Sequence, residues 1–467
     1  MVDKMVDSLL EKVNYLKKEQ IEQLREAISF AIKAHHGQRR ATGEPYIIHP
    51  FTVCEILTDY NADVVTLISA LLHDVVEDTN YTIVDIIRNF GSQVALIVEG
   101  LTKVDKGTYQ KEEYNAINVK KLLTASIEDV RVAIIKIADR LHNMRTLSVK
   151  KIEQKVAYAN ETLSFFSPLA ERLGLFKMQV ELEELGFGYL NPTKYQKINK
   201  LINNYQNLFI EKFRIFIDEM KVGIDTPPIE LEWGKVPIYK SYSLLQEGSP
   251  FSDLFTIKVI TDSSIDCYTV LGRIHTAYKP IDQQFQDNLA IEKNIFSNHL
   301  STKVLVNDVE VRFNILTKDN LKNNQLGVFS LIHDNLTSGE IKSLSMGILK
   351  DSIEAVKLIS KDPIEFYDLI SYELLQKEIT VFTPKLDAVL LPEGSTIIDF
   401  AFNFNPSLAK RMIHVRVNNE IKPLNTVLND LDIVEIITVD NDTVSLVWLN
   451  YAQTAKACKE INGLIIN

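Results

Sequence analysis

Cysteine is scarce: the 467 residues hold only Cys54, Cys267 and Cys458. They lie far apart and form no C-x-x-C pair, which excludes a disulfide framework and a thiolate zinc site built from neighbouring ligands. No apolar run approaches the ~20 residues that span a bilayer. The N-terminal MVDKMVDSLLEKVNYLKKEQ mixes charges through its apolar positions, so it does not read as a signal peptide. A positive surplus is lacking too: 51 Lys and Arg against 62 Asp and Glu leave a formal charge of −11. That excludes a broad basic coat for nucleic acid, whereas one small phosphorylated ligand needs only a local basic pocket. No internal repeat or low-complexity stretch interrupts the chain. What is present is an ordinary folded composition, 46% hydrophobic and 24% charged. At ~150 residues per domain, the length suggests about three domains of a soluble, cytoplasmic protein with no membrane contact.

Hydrophobic periodicity divides the chain. Apolar residues recur at three- and four-residue spacing in IEQLREAISFAIKAHH, DVVTLISALLHDVVED and IEDVRVAIIKIADRLHNM, which predicts an all-helical domain over 1–190. A helical connector over 191–222 leads to a mixed α/β domain over 223–330, where LFTIKVITD, TKVLVN and VEVRFNILT read as strands. A helical linker over 331–377 precedes a small β-rich module over 378–440 and a helical tail over 441–467.

The chemistry gathers in HDVVED. Helical spacing of four sets His73 above Glu77 and Asp74 above Asp78. Burying three carboxylates among apolar neighbours costs several kcal/mol each unless a cation answers them. Taken alone, an HD dipeptide is a chance occurrence, and an acidic helical face is more often solvated than catalytic. The surrounding LISALLH and VV argue otherwise, and His49 and Asp139 offer further ligands from separate segments. Two imidazoles and two carboxylates without sulfur suit Mn²⁺, Fe²⁺ or Zn²⁺. Glu77 and Asp78 are then left over to deprotonate or orient a water whose pKa the ion lowers. Arg39 and Arg40, shortly before His49, read as a phosphate clamp or as a guanidinium plane against a base. Asn143 shares a helical face with Asp139. The implied reaction is metal-assisted hydrolysis of a phosphate or pyrophosphate ester.

AHHGQRRATGEPYIIHP, ALLHDVVEDT, LTKVDK, IADRLHNMRTL and SPLAERLGL, in that order, resemble the hydrolase domain of long-form RelA/SpoT homologues. The family's order is hydrolase, synthetase, then a TGS module. The resemblance implies an all-α HD-type hydrolase domain, an α/β nucleotidyltransferase-like domain and a small β-grasp-type TGS domain. It implies Mn²⁺ held by His49, His73, Asp74 and Asp139, water activated by Glu77 and Asp78, and a guanosine nucleotide held by Arg40, Thr42 and Asn143. Ala41 stands where a lysine is common, a departure expected to loosen substrate contact. The implied reaction removes the 3′-pyrophosphate of guanosine 3′,5′-bis(diphosphate) or its pentaphosphate relative.

The middle domain resembles the family's synthetase in its scaffold, and Asp253 matches a metal-binding aspartate. Its cations are depleted. Gly234, Lys235, Val236 and Pro237 replace a G-R-x-K segment, and Gln283, Gln284 and Gln286 soften a basic loop. The segment Phe296 to Leu300 replaces Y-Q-S-L-H-T. Aligned on Thr317, Arg312 stands at the family's glutamate and Leu316 at its arginine, while a shift of one or two residues would bring Glu310 nearer. Pyrophosphoryl transfer from ATP needs those cations and carboxylates, so an inactive pseudo-synthetase is expected, retained as a brace for the hydrolase or, alternatively, to bias it between open and closed states. In the TGS-like module Phe404, Asn405 and Pro406 occupy the place of a histidine that meets tRNA in ribosome-sensing relatives. The chain stops at Asn467, before the family's ACT-type unit. Both features argue against ribosome or tRNA binding. Oligomeric state is left open. The rival readings are a bifunctional synthetase and hydrolase, a metal phosphohydrolase of another nucleotide, and a non-enzymatic sensor.

Overall fold

The computed structural model describes residues 2–40, 42–223, 228–290, 295–306, 309–332, 336–375 and 378–465. Helices fill the chain up to Leu190, and Val64–Leu72 runs through their centre. Its sequence VVTLISALL is apolar on every side, and all of it but Val65 is buried, as an all-round hydrophobic helix must be. Ile48–Thr58 and Arg131–Arg145 pack around it with most of their residues buried. Arg131 ties the helix starts together. Its guanidinium reaches Asp63 Oδ2 at 2.8 Å and Asp129 Oδ2 at 2.6 Å, and its own side chain is only 1% exposed.

The long helix Pro192–Gly223 leads into a six-stranded mixed sheet. Its strands are β1 (Glu230–Lys235), β2 (Phe255–Thr261), β3 (Lys279–Pro280), β4 (Gln286–Asp287), β5 (Leu300–Val306) and β6 (Val309–Thr317). The order is β1-β2-β6-β5-β3, with β4 also on β5; β2 and β6 run parallel and the other pairs antiparallel. Val311, Phe313 and Ile315 face one core, with Val304 and the helix Ser264–Ala277, while Glu310, Arg312 and Asn314 take the opposite face.

The segment 331–377, expected as a linker, forms helices Ser338–Ser345, Asp351–Ile359 and Pro363–Leu375 that pack back on the first domain. Leu349, Ile353, Val356, Phe366 and Ile370 join its core, and Ser345 Oγ accepts from the Val130 N–H at 2.8 Å. The last unit has a hairpin, β7 (Glu378–Phe382) with β8 (Ala388–Pro392), a helix Ile397–Phe404, and the sheet β10-β9-β11. Those strands are β9 (Met412–Val417), β10 (Glu420–Lys422) and β11 (Val434–Thr438). A terminal helix, Ala455–Ile465, closes it. Among the described residues, no helix is long and apolar enough to cross a membrane.

Candidate metal centre

HDVVED does not continue one helix. The helix ends at Leu72, His73 and Asp74 form a turn, and Val75–Asp78 is a separate single turn. Asp74 still stands above Asp78, whose N–H donates to its carbonyl at 2.9 Å. Glu77 turns instead towards Lys103, which donates to it from Nζ at 2.6 Å and from its backbone N–H at 3.3 Å.

Three donors converge: His49, His73 and Asp74 bring ligand atoms within 4.8 Å of one another. His73 Nδ1 lies 2.8 Å from the Ala70 carbonyl, so that nitrogen carries a proton and Nε2 is the atom that takes either a second proton or a metal cation. Nε2 is buried and 3.2 Å from Asp74 Oδ1, yet no hydrogen bond of acceptable direction reaches it. An orphaned imidazole lone pair beside a carboxylate and a second imidazole fits a divalent cation of the N/O-preferring kind. His49, in the first turn of Ile48–Thr58, puts Nε2 at 3.4 Å from Asp74 Oδ2 and 3.2 Å from Asp139 Oδ1. Asp139 thus stands at the edge of the triad, its oxygens also held by Asn143 at 2.5 Å and Lys136 at 2.8 Å.

Electrostatics agree with this placement. Burial opposes charge on His73, but Asp74 beside it lifts its pKa to about 9. A field that holds a proton so firmly also favours a metal cation. Burial likewise opposes charge on Asp74 and Asp139, yet His73 and His49 for the first, and Lys136 and His49 for the second, hold both well below the usual carboxylate range.

Arg40 reaches the centre from the turn before His49. It donates from Nη2 to Asn143 Oδ1 at 2.7 Å, and its Nη1 lies 3.1 Å from His142 Nδ1. Arg40, Asn143, Asp139 and His49 therefore form one continuous chain of contacts. Arg39 is not in it: its guanidinium donates to the Gly43 carbonyl at 2.7 Å. Thr42 sits exposed on the turn, and Ala41 lies outside the described residues.

Three residues at the centre carry no signal in the spacing of HDVVED. Tyr46 Oη lies 2.7 Å from Asp74 Oδ2 and 2.6 Å from Asp78 Oδ2, sharing its one proton between them. Burial and Asp74 push its pKa up, so it stays a donor. His142 Nδ1 lies 2.7 Å from His49 Nδ1, and burial with His49 and Arg40 lowers its pKa to about 3. The single Nδ1 lone pair of a neutral His142, shared between these two neighbours, fixes the His49 ring with Nε2 towards the acids. His35, stacked on Tyr46, keeps a buried Nε2 without a hydrogen-bond partner. Its place in AHHG, just before the arginines, was the available hint.

Comparison with known proteins gives a consistent picture. Residues 27–176 match the HD domain family, and residues 379–438 match the TGS domain family. The bifunctional (p)ppGpp synthase/hydrolase SpoT of Escherichia coli K12 is 34% identical over 97% of this chain and 66% of its own length. A guanosine-3′,5′-bis(diphosphate) 3′-pyrophosphohydrolase of Aquifex aeolicus is 34% identical over 98% of this chain and 66% of its own. A GTP pyrophosphokinase of Streptomyces coelicolor is 33% identical over 95% of this chain and 55% of its own. The chain thus spans just under two thirds, 66%, of the first two relatives.

Proposed function

The chain is homologous to the RelA/SpoT superfamily, with its HD and TGS domains, at 34% identity, and on that premise we propose that the first domain is a Mn²⁺-dependent hydrolase of guanosine 3′,5′-bis(diphosphate) and its pentaphosphate relative, giving GDP or GTP plus pyrophosphate. The observation that carries the reading is the His49, His73 and Asp74 triad with its orphaned His73 Nε2. These three residues, with Asp139, would hold the ion. When bound, the ion would supply positive charge that lowers the pKa of water and offsets the negative charge of phosphate oxygens.

The chain's own groups do the rest. Glu77 and Asp78 are the proton acceptors, and Lys103 and Tyr46 fix their carboxylates in place. Arg40 presents a planar fork suited to phosphate, Asn143 sets its angle, and Thr42 lies at the rim. The middle domain, read as nucleotidyltransferase-like, does not make the alarmone. Supporting this, Arg312 hydrogen-bonds Gln284 at 3.2 Å, so a cation on this face is paired with an amide where the resemblance places a basic residue. Asn405 caps the turn Pro406–Ala409, accepting from the Ser407 and Leu408 N–H groups, which favours a structural role over RNA contact.

Two reactions with Mn²⁺ test the proposal. Guanosine tetraphosphate alone should yield GDP and pyrophosphate, and ATP with GDP should yield no alarmone. Alarmone in the second reaction would overturn the inactive-synthetase reading. An unchanged nucleotide in the first, with Mn²⁺ bound, would overturn the hydrolase reading in favour of another nucleotide or a sensor.

A further inference from the structure

The polar face of the central sheet carries a buried lysine that the proposed hydrolysis does not use. Lys303 stands on β5 opposite Arg312 on β6, and its side chain is only 6% exposed. Its Nζ lies 2.9 Å from Asp253 Oδ1 and also pairs with the Glu310 carboxylate. Asp253 comes from the turn Phe251–Leu254 that enters β2, and Glu310 comes from β6, so three elements meet on one ammonium. Asp253 Oδ1 is buried, and among the described residues no directed hydrogen bond reaches it. The ion pair is what compensates that oxygen.

Two carboxylates from separate elements, one of them buried, are the arrangement that a divalent oxygen-loving cation bridges. Here the bridging charge is covalently tethered. We infer that Lys303 is a resident cation, which satisfies Asp253 and Glu310 without metal and keeps divalent ions out of the middle domain. The ammonium stands between the two acids. A divalent ion arriving at the same oxygens would meet a like charge at contact distance, on the largely buried Lys303–Asp253 side of the site. The middle domain therefore takes no metal–triphosphate on these acids, and the first-domain triad is the one divalent site of the described chain. This inference rests on the geometry at Lys303 and goes beyond the hydrolase proposal.

Mn²⁺ binding to the full chain, read from the electron paramagnetic resonance of free Mn²⁺, tests it. Asp74→Asn removes the first-domain triad and leaves Lys303 in place. That variant should bind no Mn²⁺ at millimolar concentration. Adding Lys303→Met should create one Mn²⁺ site, which Asp253→Asn should abolish again, and Mn²⁺ should raise the melting temperature of the Lys303→Met chain. Mn²⁺ binding by the Asp74→Asn chain that disappears with Asp253→Asn would overturn the inference. So would a folded Lys303→Met chain that gains no site. If Lys303→Met fails to fold, the Asp74→Asn comparison still decides the matter in either direction. A wild-type chain that bound no Mn²⁺ would refute the metal centre of the first domain and leave the Lys303 comparison intact.

Discussion

Lys103 separates a catalytic arrangement from a structural one. It follows the helix Ile83–Leu101 and holds both oxygens of Glu77, through Nζ at 2.6 Å and the backbone N–H at 3.3 Å. Burial opposes its charge, but the Glu77 hydrogen bond together with the negative charges of Glu77 and Asp74 more than offsets this and raises the lysine pKa. Lys103→Met keeps an apolar stem and the backbone bond while removing the ammonium. The paired side chains are 46% and 27% exposed, so screening limits their worth to folding to about 1 kcal/mol or less. Melting should therefore shift by roughly 4 °C at most. Turnover should respond far more strongly. Misplacing a catalytic group by about 1 Å costs on the order of 100-fold, so kcat should fall roughly 10- to 100-fold with Mn²⁺ affinity unchanged. Steady-state kinetics on guanosine tetraphosphate at saturating Mn²⁺, beside a thermal melt, measure both quantities. A kcat within about twofold of wild type would refute the orientation of Glu77 by Lys103. A large loss of stability with normal turnover per folded molecule would make Lys103 a structural residue.

Glu77→Gln together with Asp78→Asn should abolish turnover while sparing Mn²⁺ and nucleotide binding, both measurable by calorimetry; loss of Mn²⁺ would mean that these acids are ligands. Arg131→Met should leave Asp63 and Asp129 buried without their shared cation, lowering stability by about 3–5 kcal/mol in urea unfolding, and a loss below about 1 kcal/mol would remove the triad as the clasp between helices. Arg40→Ala and Asn143→Ala should not add in nucleotide affinity: their hydrogen bond predicts a coupling of roughly 0.5–3 kcal/mol in a double-mutant cycle. Strict additivity would mean that the two do not act as one clamp.

The helical character of the first domain was legible because a buried helix must be apolar throughout, as in VVTLISALL, and such runs need no partner to be recognised. The His49, His73 and Asp74 triad was legible for a different reason: acids among apolar neighbours demand compensation whatever the fold. Periodicity failed inside HDVVED. It assumed an unbroken helix and so set His73 over Glu77, whereas the chain leaves the helix after Leu72 and sends Glu77 to Lys103. Tyr46, Lys103 and His142 escaped because their partners lie 28 or more, 26 and 93 residues away respectively. The pattern of an element reports its own faces and nothing of what meets them.

Strand register set the sharpest limit. A shift of two residues along VEVRFNILT keeps its faces and changes only which residue stands at a given place, so the sequence left Arg312 and Glu310 as alternatives for one position. In the sheet they share a face, and each answers a different group: Glu310 pairs with Lys303 and Arg312 with Gln284. The loops flanking this sheet show how the middle domain bears on the first. The loop before β5 carries Phe296 into the first domain's core, where a Cβ on Gly174 (φ +68°) would lie 2.5–2.7 Å from three of its carbons. Val328 donates to the Leu173 carbonyl at 2.9 Å on the other side of that turn. The helices over 338–375 then return to complete the same core. The chain cannot shed its middle domain without opening the first domain's core, because part of that core is built from residues on the middle domain's far side. Under the proposed function, such bracing would account for a scaffold kept without synthesis, and Lys303 for acids kept satisfied without metal.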